Sequence, residues 1–218
     1  VIDPRPAQEA SAVKLYYSPN LNPRVAVAVA KYLGSPVEFV RASPMNPRYR
    51  EQFRPLNPNT RVPILTEEGR APLWETDAIA YRLSTLAGGD FWPTDERMIE
   101  MLRWVSWGTH HFTRAGDVFY FENLIRPQFM SRPANQTALD NAAEDLAVCG
   151  PILDDILAQR TWLVGDRPTY ADFRVATALP FAEAAAIPVM QYPNIMRWHD
   201  RLNRIDAWRD PFAGLAVG

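Results

Sequence analysis

The segment SPNLNPR, residues 18–24, sets three short polar side chains, Ser18, Asn20 and Asn22, between an apolar run ending at Tyr17 and a helical run beyond it. A hydroxyl and a carboxamide both donate hydrogen bonds. At a helix N-terminus such donors are joined by free backbone N–H groups and the positive end of the helix dipole. The chemistry on offer is stabilisation of a negatively charged ligand atom above the helix. Pro23-Arg24 reads as the first helical turn, because proline is tolerated there. The helix is expected over Arg24–Leu33, with Val25, Val29, Tyr32 and Leu33 at helical spacing.

Two further segments carry binding chemistry. In NPNTRVPIL, residues 57–65, Pro63 stands at the start of an apolar run. Proline cannot donate to a sheet ladder, so the run is a plain edge strand, or Val62 turns its backbone groups outward to pair with an extended peptide. The second reading suits a cis Val62–Pro63 bond. In LWETDAIAYRL, residues 73–83, Glu75, Thr76 and Asp77 precede the helical positions Ile79 and Leu83. Ordinary capping explains these residues. A ligand site explains them too: the N–H groups and the Thr76 hydroxyl would hold a carboxylate while Glu75 holds an ammonium.

Other chemistry is weaker. Thr169 and Asp172 in GDRPTYAD have capping-box spacing and read as structural, with Pro180 kinking or ending their helix. His110 and His111 are adjacent rather than i, i+4, so no metal site is expected. Trp104, Trp107, His111 and Phe112 lie near one helical face, as core or as the wall of an apolar pocket. The single cysteine, Cys149, reads as a small buried apolar residue rather than a nucleophile.

The elements that must position these residues divide the chain. Strand candidates Val13–Tyr17, Val37–Val40, Val62–Leu65 and Pro72–Trp74 alternate with helical pieces at Arg24–Leu33, Arg48–Phe53 and Thr76–Leu86. The order is β-α-β-α-β-β-α, and TEEGR forms a hairpin turn at Gly69. A parallel first pair followed by a hairpin makes the sheet mixed. After GGDFWP, residues 88–93, β patterns cease and four helical runs follow: one capped by Thr94–Asp95, one over Ala134–Leu157, one after GDRPTYAD, and one after YPN. The expected division is an N-terminal arm at 1–12, a β-bearing domain at 13–88, a linker at 89–94 and an all-helical domain at 95–218.

Composition sets the outer bounds. The 218 residues are 47% hydrophobic and 22% charged, ordinary for a globular chain. The net charge of −2 offers no basic surface for nucleic acid. No apolar run reaches the roughly 20 residues of a membrane span, and residues 1–12 lack the apolar core of a signal peptide. One cysteine excludes an intrachain disulfide and fits a reducing, cytoplasmic compartment.

Taken together, NPNTRVPIL, ETDAI and GDRPTYADF, in this order and at these separations, resemble the glutathione transferase superfamily from Val13 to about Trp208. The resemblance implies a thioredoxin-like N-terminal domain, an all-helical C-terminal domain and a homodimer. It implies a cis-proline at Pro63, with Thr76 standing where the family has serine. It assigns Arg61, Val62, Pro63, Glu75 and Thr76 to glutathione, Val62 pairing with the cysteinyl backbone and Glu75 and Thr76 holding the γ-glutamyl end. It also implies a donor to the glutathione thiolate near the first helix. Here the chain departs from the family pattern. Anchoring on YSP selects Ser18, counting back from Arg24 selects Asn20, and the residue before the helix proline is Asn22, where some classes carry cysteine. Ser18 ranks first and Asn20 second. The implied activity is attack of the activated thiol on a small apolar electrophile held near Trp104, Trp107 and His111, without metal. The alternatives are another glutathione reaction, such as peroxide reduction, dehalogenation or ether cleavage, and a non-catalytic protein that binds glutathione or a partner.

Overall fold

The computed structural model of the chain describes residues 13–44 and 46–216. The expected N-terminal arm therefore lies outside the described residues. Strand β1 (Val13–Tyr17), helix α1 (Leu21–Tyr32), strand β2 (Val37–Arg41), the short helix α2 (Pro47–Arg50), strands β3 (Ile64–Thr66) and β4 (Leu73–Trp74), and helix α3 (Thr76–Ala87) follow in the expected order. The sheet runs β2-β1-β3-β4. β1 and β2 are parallel, whereas β1–β3 and β3–β4 are antiparallel. This is a mixed sheet of thioredoxin-like type.

Alternation along β1 gives the sheet two different faces. Leu15 and Tyr17 join the large core beneath α1 and α3. Tyr16 packs on a smaller cluster of Ala42, Phe53 and Ile64 on the opposite face. The expected strand at 62–65 starts later, at Ile64, so Pro63 stands before the ladder and no sheet hydrogen bond is asked of it. The Val62–Pro63 bond is cis.

Helix α1 begins three residues earlier than its spacing suggested. Asn20 has extended backbone and its carbonyl accepts from the Arg24 N–H at 2.9 Å, so Asn20 is the N-cap. Pro23 is then the third helical residue. That costs no hydrogen bond, because the first-turn N–H groups have no partner within the helix. Every residue from Val25 to Ala30 is fully buried, which the small Val and Ala side chains permit. α1 is wedged between the sheet and the helical part of the chain.

That helical part comprises α4 (Arg97–His110), α5 (Phe112–Tyr120), α6 (Arg126–Met130), α7 (Gln136–Gln159), α8 (Tyr170–Val175), α9 (Pro193–Leu202) and α10 (Asp206–Arg209). α4 packs on α8, and α7 packs on α5 and α9. A side chain at Gly108 would meet Val175 at 2.8 Å, so glycine sets how closely α4 approaches α8. Pro180 does not end α8, as had been expected. The helix stops at Val175 and Pro180 sits in a separate 3₁₀ turn, Leu179–Phe181. The last segment returns to the sheet. Arg24 donates to the Trp208 carbonyl and its guanidinium lies 4.6 Å from the Trp208 ring centre. Lys31 donates to the Ala213 carbonyl at 2.6 Å, and the Tyr17 hydroxyl to that of Ala216 at 2.8 Å. Tyr17 is thereby engaged with the C-terminal segment. Burial lowers the Arg24 guanidinium to about 10, still cationic at neutral pH.

Thr169 and Asp172 form the expected capping box, and Asp172 does more than cap. Its buried carboxylate accepts from the backbone N–H groups of Leu163 and Thr169 and from the Trp198 indole, each at 2.9 Å. It thus ties α8 to α9 and to the turn after α7. Asp172→Ala leaves these donors unpaired, at about 1–3 kcal/mol for each buried group. The expected outcome is a loss of at least ~3 kcal/mol in urea unfolding. Asp172→Asn should recover little, because its amide sets an N–H against donors.

Candidate functional site

The loop between α2 and β3 is built on Asn57. Its buried amide donates to the Arg61 carbonyl at 2.9 Å and accepts from the Asn59 N–H at 3.0 Å. An asparagine that hydrogen-bonds the backbone two residues on makes a side-chain-closed turn. Thr60 takes a positive φ of 53° within this turn, and Arg50 donates to its hydroxyl at 3.0 Å. The loop presents Asn59, Arg61, Val62 and Pro63 along one wall of a cavity of about 280 Å³.

Two helix N-termini form the opposite wall, through Asn22 of α1 and Glu75 and Thr76 at the start of α3. The Thr76 hydroxyl donates to the Asn22 carbonyl at 3.4 Å, joining the two ends. Two positive dipole ends thus converge on one cavity, with unpaired first-turn N–H groups. Glu75 is exposed, and among the described residues its carboxylate makes no ion pair. Its φ of 76° and ψ of 127° lie in a region that favours glycine, so a charged side chain is kept there against its backbone preference.

The helical part supplies the third side. Arg174 on α8 is buried. It donates through Nη1 to the Asn22 side-chain oxygen at 2.9 Å, and its Nε lies 2.9 Å from Asp77 Oδ1. Asp77 also accepts from the Tyr170 hydroxyl. Burial, together with the Asp77 charge, raises the Tyr170 phenol well above its ordinary value, so it stays a donor. Solvent reaches Asp117 on α5, yet crowding by neighbouring atoms raises its carboxyl; the charges of Arg174 and Arg61 oppose that rise.

The cavity brings Asn22, Arg61, Val62, Pro63, Glu75 and Thr76 together, along with Asn57 and Asn59. Ser18 and Asn20 are not among its lining residues. Ser18 donates to the Asn20 side chain at 3.2 Å, and Asn20 is the N-cap through its backbone, its side chain making no capping bond. Of the three donor candidates, Asn22 in the first turn of α1 is the one that lines the cavity. Trp104 does not line the cavity either. It is buried in the core, edge-on to Trp107. Trp107 packs on His111, which is exposed at the break between α4 and α5. Cys149 is buried, and desolvation raises its thiol to about 11, which removes it as a nucleophile near neutral pH. Among the described residues no group of three or more His, Cys, Asp or Glu can hold a metal, and no helix is long and apolar enough to cross a membrane.

The model of the glutathione S-transferase N-terminal domain matches residues 11–84, and that of the C-terminal domain matches residues 118–206. The chain belongs to the glutathione transferase superfamily. Glutathione S-transferase-I bound with lactoylglutathione superposes with a TM-score of 0.82, at 21% identity, over 94% of this chain and 99% of that one. Ure2p in complex with S-hexylglutathione superposes at 0.77, with 20% identity, over 92% of this chain and 98% of that one. Among curated relatives, elongation factor 1-gamma of Carassius auratus is 28% identical over 84% of this chain and 41% of its own length. That of Schizosaccharomyces pombe is 28% identical over 87% and 47%. The chain therefore spans less than half the length of these relatives.

Within this superfamily fold, sequence reading missed Asn57, Asn59 and Arg174. The repeated asparagine of NPNT signals a side-chain-closed turn. Nothing local marks Arg174, which lies 152 residues from Asn22. The strain at Glu75 has a measurable consequence. Glu75→Gly and Glu75→Ala remove the same carboxylate, but only glycine relaxes at positive φ. The Gly variant should be more stable than the Ala variant by about 1 kcal/mol in chemical unfolding, reversing the order found in ordinary backbone.

Proposed function

We propose that the protein binds glutathione in this cavity and stabilises its thiolate for attack on an electrophile. The observation that carries the reading is the convergence of two helix N-termini on a cavity lined by the unpaired Glu75 carboxylate and the Val62 backbone. The γ-glutamyl carboxylate would sit at the N-terminus of α3 with Thr76, and its ammonium at Glu75. Val62 would pair with the cysteinyl backbone, and Arg61 would face the charged end of the tripeptide. Asn22, alone of the three donor candidates on the cavity wall, would then face the sulfur. The electrophile would enter beside α5, past Asp117. The protein would act as a homodimer, with the exposed Tyr81 of α3 and Ile99 and Leu102 of α4 as candidate contacts.

A second reading is glutathione binding without turnover. The curated relatives favour it, being named as elongation factors rather than transferases.

Three measurements test these readings. Glutathione at about 100 times its dissociation constant should stabilise the fold by roughly 2.7 kcal/mol, seen as a rise in Tm; no rise removes glutathione from the cavity. Glu75→Ala should weaken glutathione binding by about 1.5–3 kcal/mol while leaving saturated turnover less affected. Titrating the thiolate absorbance of bound glutathione separates activation from binding. A free thiol titrates near about 8.5, and donors to the anion lower that value. Thiolate should therefore persist to lower pH on the wild type and be lost earlier, as pH falls, on Asn22→Ala. Ser18→Ala and Asn20→Ala should titrate like the wild type.

A further inference from the structure

The geometry points to Arg174 as a positioning residue: from the helical part of the chain it holds the Asn22 carboxamide with its NH₂ toward the cavity, and so sets the acidity of the bound thiol. The inference rests on the reading that glutathione occupies the cavity with its sulfur near Asn22.

A carboxamide presents an oxygen on one side and an NH₂ on the other, and only the NH₂ stabilises a thiolate. Nothing within α1 chooses between the two orientations. Arg174 does. A guanidinium donates and never accepts, so the Asn22 atom that meets Nη1 at 2.9 Å is the oxygen. The NH₂ is then left on the other side of a side chain that lines the cavity, and among the described residues it has no protein partner. If Arg174 is removed, the carboxamide can rotate and turn lone pairs toward the sulfur.

Arg174 is itself held in place. Its Nε lies 2.9 Å from Asp77 Oδ1, and Asp77 accepts from the Tyr170 hydroxyl. Its carbonyl accepts from the hydroxyls of Thr113 at 3.1 Å and Thr177 at 2.6 Å. The residue is 7% exposed, and the planar fork of arginine meets two partners at once. A lysine in its place could serve one of them.

The experiment is a pH titration of the thiolate absorbance of bound glutathione, with glutathione affinity measured alongside. The proteins are the wild type, Arg174→Met, Arg174→Lys, Asn22→Ala, Asn22→Asp and the Arg174→Met/Asn22→Ala double variant. Arg174→Met should raise the thiol pKa by about one unit, a tenfold loss of thiolate below it, while affinity changes by less. Arg174→Lys should restore part of the depression. In the Asn22→Ala background Arg174→Met should add nothing, since its effect passes through the missing side chain. Asn22→Asp keeps an oxygen for Arg174 but has no donor for sulfur, so it should raise the thiol pKa at least as far as Asn22→Ala. The inference is overturned if Arg174→Met leaves a depressed pKa unmoved, or shifts it equally with and without Asn22, which would be a direct charge effect. Should Arg174→Met fail to fold, Asn22→Asp decides, and a wild-type pKa in that variant overturns the inference. An ordinary thiol pKa on the wild type overturns both the inference and the activation reading.

Discussion

The burial of Pro23–Ala30 of α1 between the sheet and the helical part is the constraint from which the rest of the structure follows. A helix between a sheet and a second helical layer has no polar face to spare, and Val25–Ala30 supply only small apolar side chains. The exception, Arg24, has its charge met by the Trp208 carbonyl and ring. A buried guanidinium without such partners would be strongly destabilising, so α1 requires the C-terminal segment to return beneath the sheet. That return also engages Lys31 and Tyr17. What remains free of α1 is its N-terminus, which opens on the cavity.

The cavity depends on the same layering. α3 packs beside α1, so their first turns lie together, and the Thr76–Asn22 hydrogen bond ties them. The hairpin that leads into α3 is anchored by a two-pronged pair, Arg82 to Glu67 at 2.8 and 2.6 Å. From the other side α8 brings Arg174 to Asn22 and Asp77, and α8 is positioned through Asp172 and the close approach at Gly108. The geometry at Asn22 is therefore a product of contacts from both parts of the chain.

Much of this was legible because it is local. β1, the α1 mouth, the turn at Gly69, the capping box at Thr169 and the Val62-Pro63 and Glu75-Thr76 pairs each rest on residues within a few positions of one another. The helix start was read three residues late because proline fits any first-turn position, and only the carbonyl bond from Asn20 to Arg24 distinguishes them. The YSP match selects Ser18, yet its hydroxyl turns to the Asn20 side chain while Asn22 lines the cavity. Trp104 could not be assigned, since the same aromatic spacing serves a core and a pocket wall. Arg174 carried no local signal at all, because a contact across 152 residues is a property of the packing.

In the proposed reading, binding and activation of glutathione draw on different elements of the fold. The groups suited to a zwitterionic peptide end are Glu75, Thr76 and the first turn of α3, and these belong wholly to the β-bearing part. Asp77 in that same turn is nonetheless tied to α8, through Arg174 and the Tyr170 hydroxyl. On the same reading, stabilising a thiolate would depend on which way the Asn22 carboxamide faces, and Arg174 of the helical part donates to its oxygen. Arg174 thus touches both sets of groups, Asn22 through Nη1 and the first turn of α3 through Asp77. In the proposed reading, packing between the two parts would therefore act on the thiolate donor directly and on the ammonium and carboxylate site through Asp77, without change to any residue that lines the cavity.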